Sequence, residues 1–204
     1  MNPRLLLAIA VWVCTACGGP SLYNVSNTGS DFHFSERLEN GLIIISTRFI
    51  SDCGSLDDRS VALQYVDDSY ARKRMGTIPV SDPFREKDFQ DPPGYLSIME
   101  VIAGQHRIEQ LSPYPYGVYA PFEVEAGKAI YLGEVHVRRS CHSDPKGLVI
   151  QVTDQWERDG KLFEQRMKNL RSEDVVKRVI TGFSLDRPTW KATPAQSPSV
   201  TRTR

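Results

Sequence analysis

The segment Ala129-Ile130-Tyr131-Leu132-Gly133-Glu134-Val135-His136-Val137 is the longest strand candidate in this chain of 204 residues. Apolar residues dominate it, and the tight turn Ala126-Gly127-Lys128 connects it to the alternating run Val118–Glu125. Short apolar or alternating runs that are bounded by turn residues are typical of β-strands. This stretch therefore predicts that the centre of the chain is built from consecutive β-strands.

The same pattern continues outward over residues 31–152. Tyr95–Ile102 and Gln105–Leu111 flank an Ala-Gly turn and predict a hairpin, whereas the interval Ser81–Gly94 is rich in charge and proline and predicts a long surface loop. The remaining strand candidates are Leu42–Ile50, Val61–Val66, Met75–Val80 and Leu148–Val152. Because no crossover helices separate these runs, we expect a mainly β domain, an antiparallel β-sandwich, over residues 31–152.

The hydrophobic period changes after this region. Trp156, Phe163, Met167 and Leu170 recur at helical spacing and predict an amphipathic helix over residues 153–170. Ser172-Glu173-Asp174 then predicts the start of a second, shorter helix over Val175–Ile180. We expect two C-terminal helices, within residues 153–186, packed against the sandwich. The basic tail at 187–204 is rich in Pro, Ser and Thr and is predicted to be disordered.

The N-terminus carries a targeting pattern. Arg4 precedes the apolar run Leu5–Val13, which is too short to span a bilayer, and small residues follow it. This pattern predicts a signal peptide over residues 1–16. The segment Cys14-Thr15-Ala16-Cys17 resembles the cleavage region of a bacterial lipoprotein, although Cys14 occupies a position where an aliphatic residue is usual.

The resemblance implies that Cys17 is lipidated and becomes the first residue of the mature chain, with residues 17–30 as a flexible tether. The residue after the cysteine is Gly18 and not Asp, and in this respect the chain resembles lipoproteins that are sent on to the outer membrane, where they face the periplasm. An ordinary signal peptide cut after Ala16 is the alternative, because small residues at Cys14 and Ala16 satisfy that rule as well.

A second resemblance covers part of the β region. Ala103–Ile108 and Phe122–Gly133 are similar to segments of small bacterial lipoproteins of unknown function, which carry a transthyretin-like or immunoglobulin-like sandwich. The resemblance implies a fold and a location in the cell envelope. It supplies no catalytic residues.

Charge and cysteine content narrow the function classes. The chain has 25 Lys and Arg against 25 Asp and Glu, a balance that argues against a nucleic-acid partner. Cys53 and Cys141 follow the predicted signal peptide, and in an oxidising compartment we expect them to form a disulfide. Free thiols, or a metal or catalytic site with His136 or His142, are the alternatives.

No motif predicts a reaction. The four histidines, His33, His106, His136 and His142, lack the spacings of known metal motifs, and no nucleophile or phosphate-loop motif occurs. We therefore expect no catalytic residue, metal or cofactor. An exported enzyme would require the fold to bring a histidine and a carboxylate together.

One feature favours binding. Tyr114, Tyr116 and Tyr119 crowd a proline-broken loop and are candidates for holding a peptide or a glycan, although the same rings can simply cover one end of the sandwich. The sequence thus predicts a non-enzymatic, lipid-anchored protein of the bacterial envelope with a structural or interaction role. Its partners would be the membrane, through the anchor, and an envelope protein or glycan.

Overall fold

The computed structural model describes residues 28–34, 39–52, 60–67, 74–112, 117–140 and 148–183. These residues form ten strands and one α-helix in the order β1 (Asn40–Ser51), β2 (Val61–Asp67), β3 (Arg74–Ser81), β4 (Phe89–Gln90), β5 (Pro93–Ile102), β6 (Gly104–Ser112), β7 (Gly117–Val124), β8 (Ala129–Arg139), β9 (Leu148–Thr153), α1 (Trp156–Arg166) and β10 (Val175–Lys177). Several predicted features lie outside the described residues: the signal peptide, Cys17 and the basic tail, together with Cys53, Cys141, Tyr114, Tyr116 and His142.

The described strands form two sheets. The larger sheet has the order β10-β8-β1-β5-β4, with β9 also paired to β8, and the smaller sheet has the order β3-β2-β6-β7. One apolar core contains side chains from both sheets, among them Ile43, Leu132 and Val135 of the larger sheet and Leu63 and Ile108 of the smaller one. The prediction of a mainly β domain is confirmed.

The larger sheet is mixed, so the prediction of a wholly antiparallel arrangement is wrong. Strand β1 pairs in parallel with β8, with Ile43 opposite Ile130, and β10 also pairs in parallel with β8. Parallel neighbours require a long crossover, for which a helix is the usual solution. Here the chain between β1 and β8 passes through the smaller sheet twice, so the crossover is made by strands, and the described residues of this interval contain no α-helix.

The C-terminal region contains one α-helix. Helix α1 confirms the first helix prediction, and its Phe163 packs with Met167 against Leu42 and Leu96 of the larger sheet. The second helix prediction is wrong, because Ser172–Asp174 is a single 3₁₀ turn and Val175–Lys177 is strand β10.

The reason is tertiary. A helix of six residues is too short to be stable by itself, and β-branched valines suit a strand. The edge of β8 offers backbone partners at this point, with Val175 opposite Ala129 and Lys177 opposite Tyr131. Pairing with β8 therefore overrides the weak helical signal.

The first described residues are hydrogen-bonded to the domain. Thr28 and Ser30, which the sequence assigned to the tether, hydrogen-bond through their backbones to Ile98 and Lys168. Within the described part of the chain, no helix is both long enough and apolar enough to cross a bilayer.

Candidate functional site

The most unusual chemistry of the described residues lies on the outer face of the larger sheet, where α1 crosses it. Two arginines, two buried carboxylates and two hydroxyl groups meet there, and we call them the charged cluster: Ser46, Arg48, Tyr131, Glu134, Arg158 and Asp159.

Strand β1 delivers two of these residues by its alternation. Leu42, Ile44, Ser46 and Arg48 share one face of the strand, since successive side chains point to opposite faces. The first two are fully buried with Phe163 of α1, and the next two enter the charged cluster. The outer face of β1 therefore changes from apolar to polar beneath the first turns of α1.

Strand β8 delivers Glu134 through a bulge. Tyr131 is opposite Ile44 and Glu134 is opposite Ser46, so β8 contains one residue more than β1 over this interval. Gly133 has a φ of 99°, a conformation that glycine adopts readily. The extra residue places Glu134 on the same face as Tyr131, where strict alternation would have pointed it into the core between the sheets.

Asp159 is the centre of a hydrogen-bonded network. Its side chain is fully buried, and its Oδ2 accepts hydrogen bonds from Ser46 Oγ at 2.5 Å and from Tyr131 OH at 2.7 Å. Its Oδ1 accepts a hydrogen bond from Arg158 Nε at 2.8 Å. A buried carboxylate is tolerated when it is hydrogen-bonded and paired in this way. The network connects α1 to both β1 and β8.

Glu134 is held between the two arginines. Its side chain is fully buried, with Oε1 2.9 Å from Arg48 Nε and Oε2 2.7 Å from Arg158 Nη2. The guanidinium of Arg158 also stacks over the ring of Phe89 at 3.7 Å from the ring centroid. Two cations and two anions balance, so the charged cluster carries no net charge.

The environment fixes the protonation states. Burial, reinforced by the neighbouring charge of Asp159, raises the pKa of Tyr131 far above its usual value, so the phenol remains a donor. Burial opposes the charge of Arg158, but its hydrogen bond to Asp159 and the charge of Glu134 outweigh this and raise its pKa. Neither Tyr131 nor Arg158 is therefore suited to exchange protons near neutral pH.

His136 lies two residues beyond Glu134 on β8, opposite Arg48 and Gln151. Burial, and then the positive charge of Arg48, lower its pKa, so the imidazole is neutral near pH 7. Within the described residues its Nε2 is buried and has no hydrogen-bond partner. His136 therefore lies beside the charged cluster as a neutral side chain near pH 7.

The other predicted site residues do not join this cluster. His33 Nε2 lies 2.8 Å from Asn169 Nδ2, and His106 Nε2 lies 2.9 Å from the carbonyl of Ile102. Tyr119 is half-buried in β7. Among the described residues, no group of three or more His, Cys, Asp or Glu side chains is arranged to hold a metal ion.

The charged cluster was not predicted from the sequence, because its members are far apart in the chain. Ser46 and Asp159 are separated by 113 residues, and polar positions in a strand usually indicate a solvated face. The available signal was Gly133, since a glycine within a strand pattern suggests a bulge. Comparisons of the chain with protein-family models, with curated proteins and with solved structures gave no match.

Proposed function

We propose that this chain is a lipid-anchored protein of the bacterial envelope whose role is structural or interaction-based and not catalytic. Its two sheets would form a β-sandwich around the shared core, braced on its outer face by α1. Cys17 would carry the lipid, and Cys53 and Cys141 would form a disulfide after export.

The observation that carries the proposal of export is the contact between Asp52 and Ser140. Ser140 Oγ donates a hydrogen bond to Asp52 Oδ2 at 2.7 Å, and Asp52 N donates to the carbonyl of Arg139 at 3.3 Å. Each of the two contacting residues directly precedes one cysteine in the sequence. Neighbouring strands lie about 4.8 Å apart, and the Cα atoms of a disulfide lie about 4.4 to 6.8 Å apart. This spacing supports a Cys53–Cys141 bond, which is typical of exported proteins.

The geometry of the charged cluster supports the non-catalytic part. Both carboxylates are engaged by arginines, and Asp159 accepts two hydroxyl donors as well. A general base must be able to accept a substrate proton, and a nucleophile needs a base within reach. The arrangement instead suits a connection between helix and sheet, because the hydrogen bonds of Asp159 and the ion pairs of Glu134 hold α1 against β1 and β8.

Intact mass spectrometry of the membrane-extracted protein tests the proposal. The chain is produced in a bacterial host beside a Cys17→Ser variant, and thiols are alkylated before and after reduction. We expect a diacylglyceryl group and acyl chains on Cys17, no such modification in the variant, and two further thiols that alkylate only after reduction.

Two results would overturn parts of the proposal separately. An unmodified Cys17 in the membrane fraction would refute the anchor. Alkylation of Cys53 and Cys141 without reduction would refute the disulfide and remove the support that it gives to export.

A further inference from the structure

The loop between β3 and β4 presents an unusual side chain. Phe84 is 94% exposed, compared with 42% for Ile50 and 50% for Val149, the other exposed large apolar residues among those described. Removing a whole phenyl ring from water is favourable, so a ring held fully in solvent is available to stabilise a contact with another apolar phase.

The backbone that carries Phe84 is fixed. Phe84 N donates a hydrogen bond to Asp82 Oδ1 at 2.9 Å. The hydroxyl of the buried Tyr95 donates to the carbonyl of Asp82 at 2.6 Å and accepts from Asp82 N at 2.9 Å. The start of the loop is therefore held against β5, and little backbone conformational entropy is lost when Phe84 enters a contact.

The other end of the loop is fastened through Asp88. Asp88 N donates to the carbonyl of Gly94 at 2.8 Å, and Asp88 Oδ2 accepts from Leu96 N at 2.7 Å. Asp88 also forms an ion pair with Arg166 of α1. The loop is thus part of the rigid domain at both ends, although its tip carries an exposed apolar ring.

The N-terminal segment enters the domain beside this loop. Thr28 N donates to the carbonyl of Ile98 at 2.9 Å, on the same edge of β5 where Asp88 contacts Leu96. Leu96 and Ile98 are two residues apart on β5, which corresponds to about 7 Å along the strand. Thr28, the first described residue after Cys17, therefore lies close to the base of the loop.

The number of residues between Cys17 and Thr28 limits how far the loop would lie from the proposed anchor. Thr28 is eleven residues after Cys17. A flexible chain of this length has a root-mean-square extension of about 20 Å, which is less than the diameter of a small domain. A lipid on Cys17 would hold the base of the loop within reach of the bilayer surface, at a high effective concentration.

We propose that Phe84 is a second membrane contact, which inserts into the interfacial region of the bilayer and orients the domain. This rests on the proposed lipidation of Cys17. A single ring flanked by Pro83 and Arg85 offers far too little apolar area for a stable protein interface. One aromatic side chain is sufficient for a domain that is already tethered to the membrane, because the anchor supplies the first of the two signals.

The test uses the full chain, extracted from bacterial membranes and reconstituted into phosphatidylcholine vesicles. In the variant Phe84→Trp, the added tryptophan emission is obtained by subtracting the wild-type signal. Val149→Trp is the matched control. Val149 is also exposed, but it lies on β9, which pairs with β8 and is separated from β5 by β8 and β1. With chain-brominated lipids we expect a blue shift and loss of most of the added emission for Phe84→Trp, and neither effect for Val149→Trp.

Other outcomes distinguish the two proposals. Retention through a lipidated Cys17 with equal quenching at both positions, or with none, would overturn the membrane contact and leave the anchor intact. Protection of the Phe84→Trp emission from aqueous acrylamide without bromolipid quenching would assign the ring to a protein partner and also overturn it. An unmodified Cys17 on a chain that separates from the vesicles would refute both.

Discussion

Gly133→Ala tests how β8 is built. The residue has a φ of 99°, and a Cβ atom at this position would lie 2.8 Å from Val152 Cγ1 and 3.0 Å from Val179 Cγ1. The backbone conformation costs about 1 to 3 kcal/mol for a residue other than glycine. Crowding the core adds about 1 to 3 kcal/mol, and the smaller entropy of the unfolded chain returns about 0.5 kcal/mol. We expect a loss of about 1.5 to 5.5 kcal/mol in the free energy of unfolding, a large share of the total of about 5 to 15 kcal/mol.

Gly127→Ala is the matched control. Gly127 has a φ of 70°, but no atom lies within 4 Å of an added Cβ. Only the backbone term applies, so we expect a loss of about 1 kcal/mol. The difference between the two variants therefore reports chiefly the crowding against Val152, Val179 and the carbonyl oxygen of Thr153.

Urea denaturation followed by circular dichroism measures both variants. We expect equal slopes and a lower midpoint for Gly133→Ala, because stability changes and the area exposed on unfolding does not. If Gly133→Ala costs no more stability than Gly127→Ala, the bulge in β8 is not sterically restricted at Gly133.

Three further predictions concern single side chains. Glu134→Gln leaves Arg48 and Arg158 without their shared carboxylate and lowers the free energy of unfolding by about 2 kcal/mol, measured with urea; an unchanged midpoint would contradict the ion pairs. The folded pKa of His136 lies below its ordinary value of 6.5, so the unfolded chain binds the proton first and stability falls as the pH drops through 6.5 toward the folded value. His136→Gln weakens this pH dependence, and a steeper one would show that the sign is wrong. Phe84→Ser changes the free energy of unfolding by less than about 0.5 kcal/mol, because the ring contacts solvent in the folded domain; a larger loss would show that it is packed.

Strand positions were predictable because short apolar or alternating runs between turn residues are visible in the sequence. The candidates Leu42–Ile50, Tyr95–Ile102 and Ala129–Val137 lie within β1, β5 and β8. Their pairing was not predictable, since periodicity reports which face of a strand is buried and not which strand lies beside it. The segment Val175–Ile180 shows the same limit, because the free edge of β8 that converts it to a strand is remote in sequence.

The charged cluster was harder to predict than the fold. An acid such as Asp159 in the first turns of a helix has a sufficient local explanation in the helix dipole. Its burial becomes apparent only when Ser46 and Tyr131, from two different strands, reach its carboxylate. A polar side chain in a strand or helix therefore gives no information about partners that the topology brings from elsewhere.

A shift in the side-chain alternation of β8 nevertheless links the apolar pattern of the sequence to the fold and to the charged cluster. Ile130 and Leu132, at even positions, and Val135 and Val137, at odd positions, all lie in the core between the sheets. Strict alternation cannot place both pairs on one face, so the apolar pattern itself requires one extra residue between them. Gly133 is the residue in that interval that adopts the necessary conformation. The same shift turns Glu134 to the outer face, where it meets Arg48 and Arg158. The charged cluster is therefore a consequence of the way in which both halves of β8 are kept in the core.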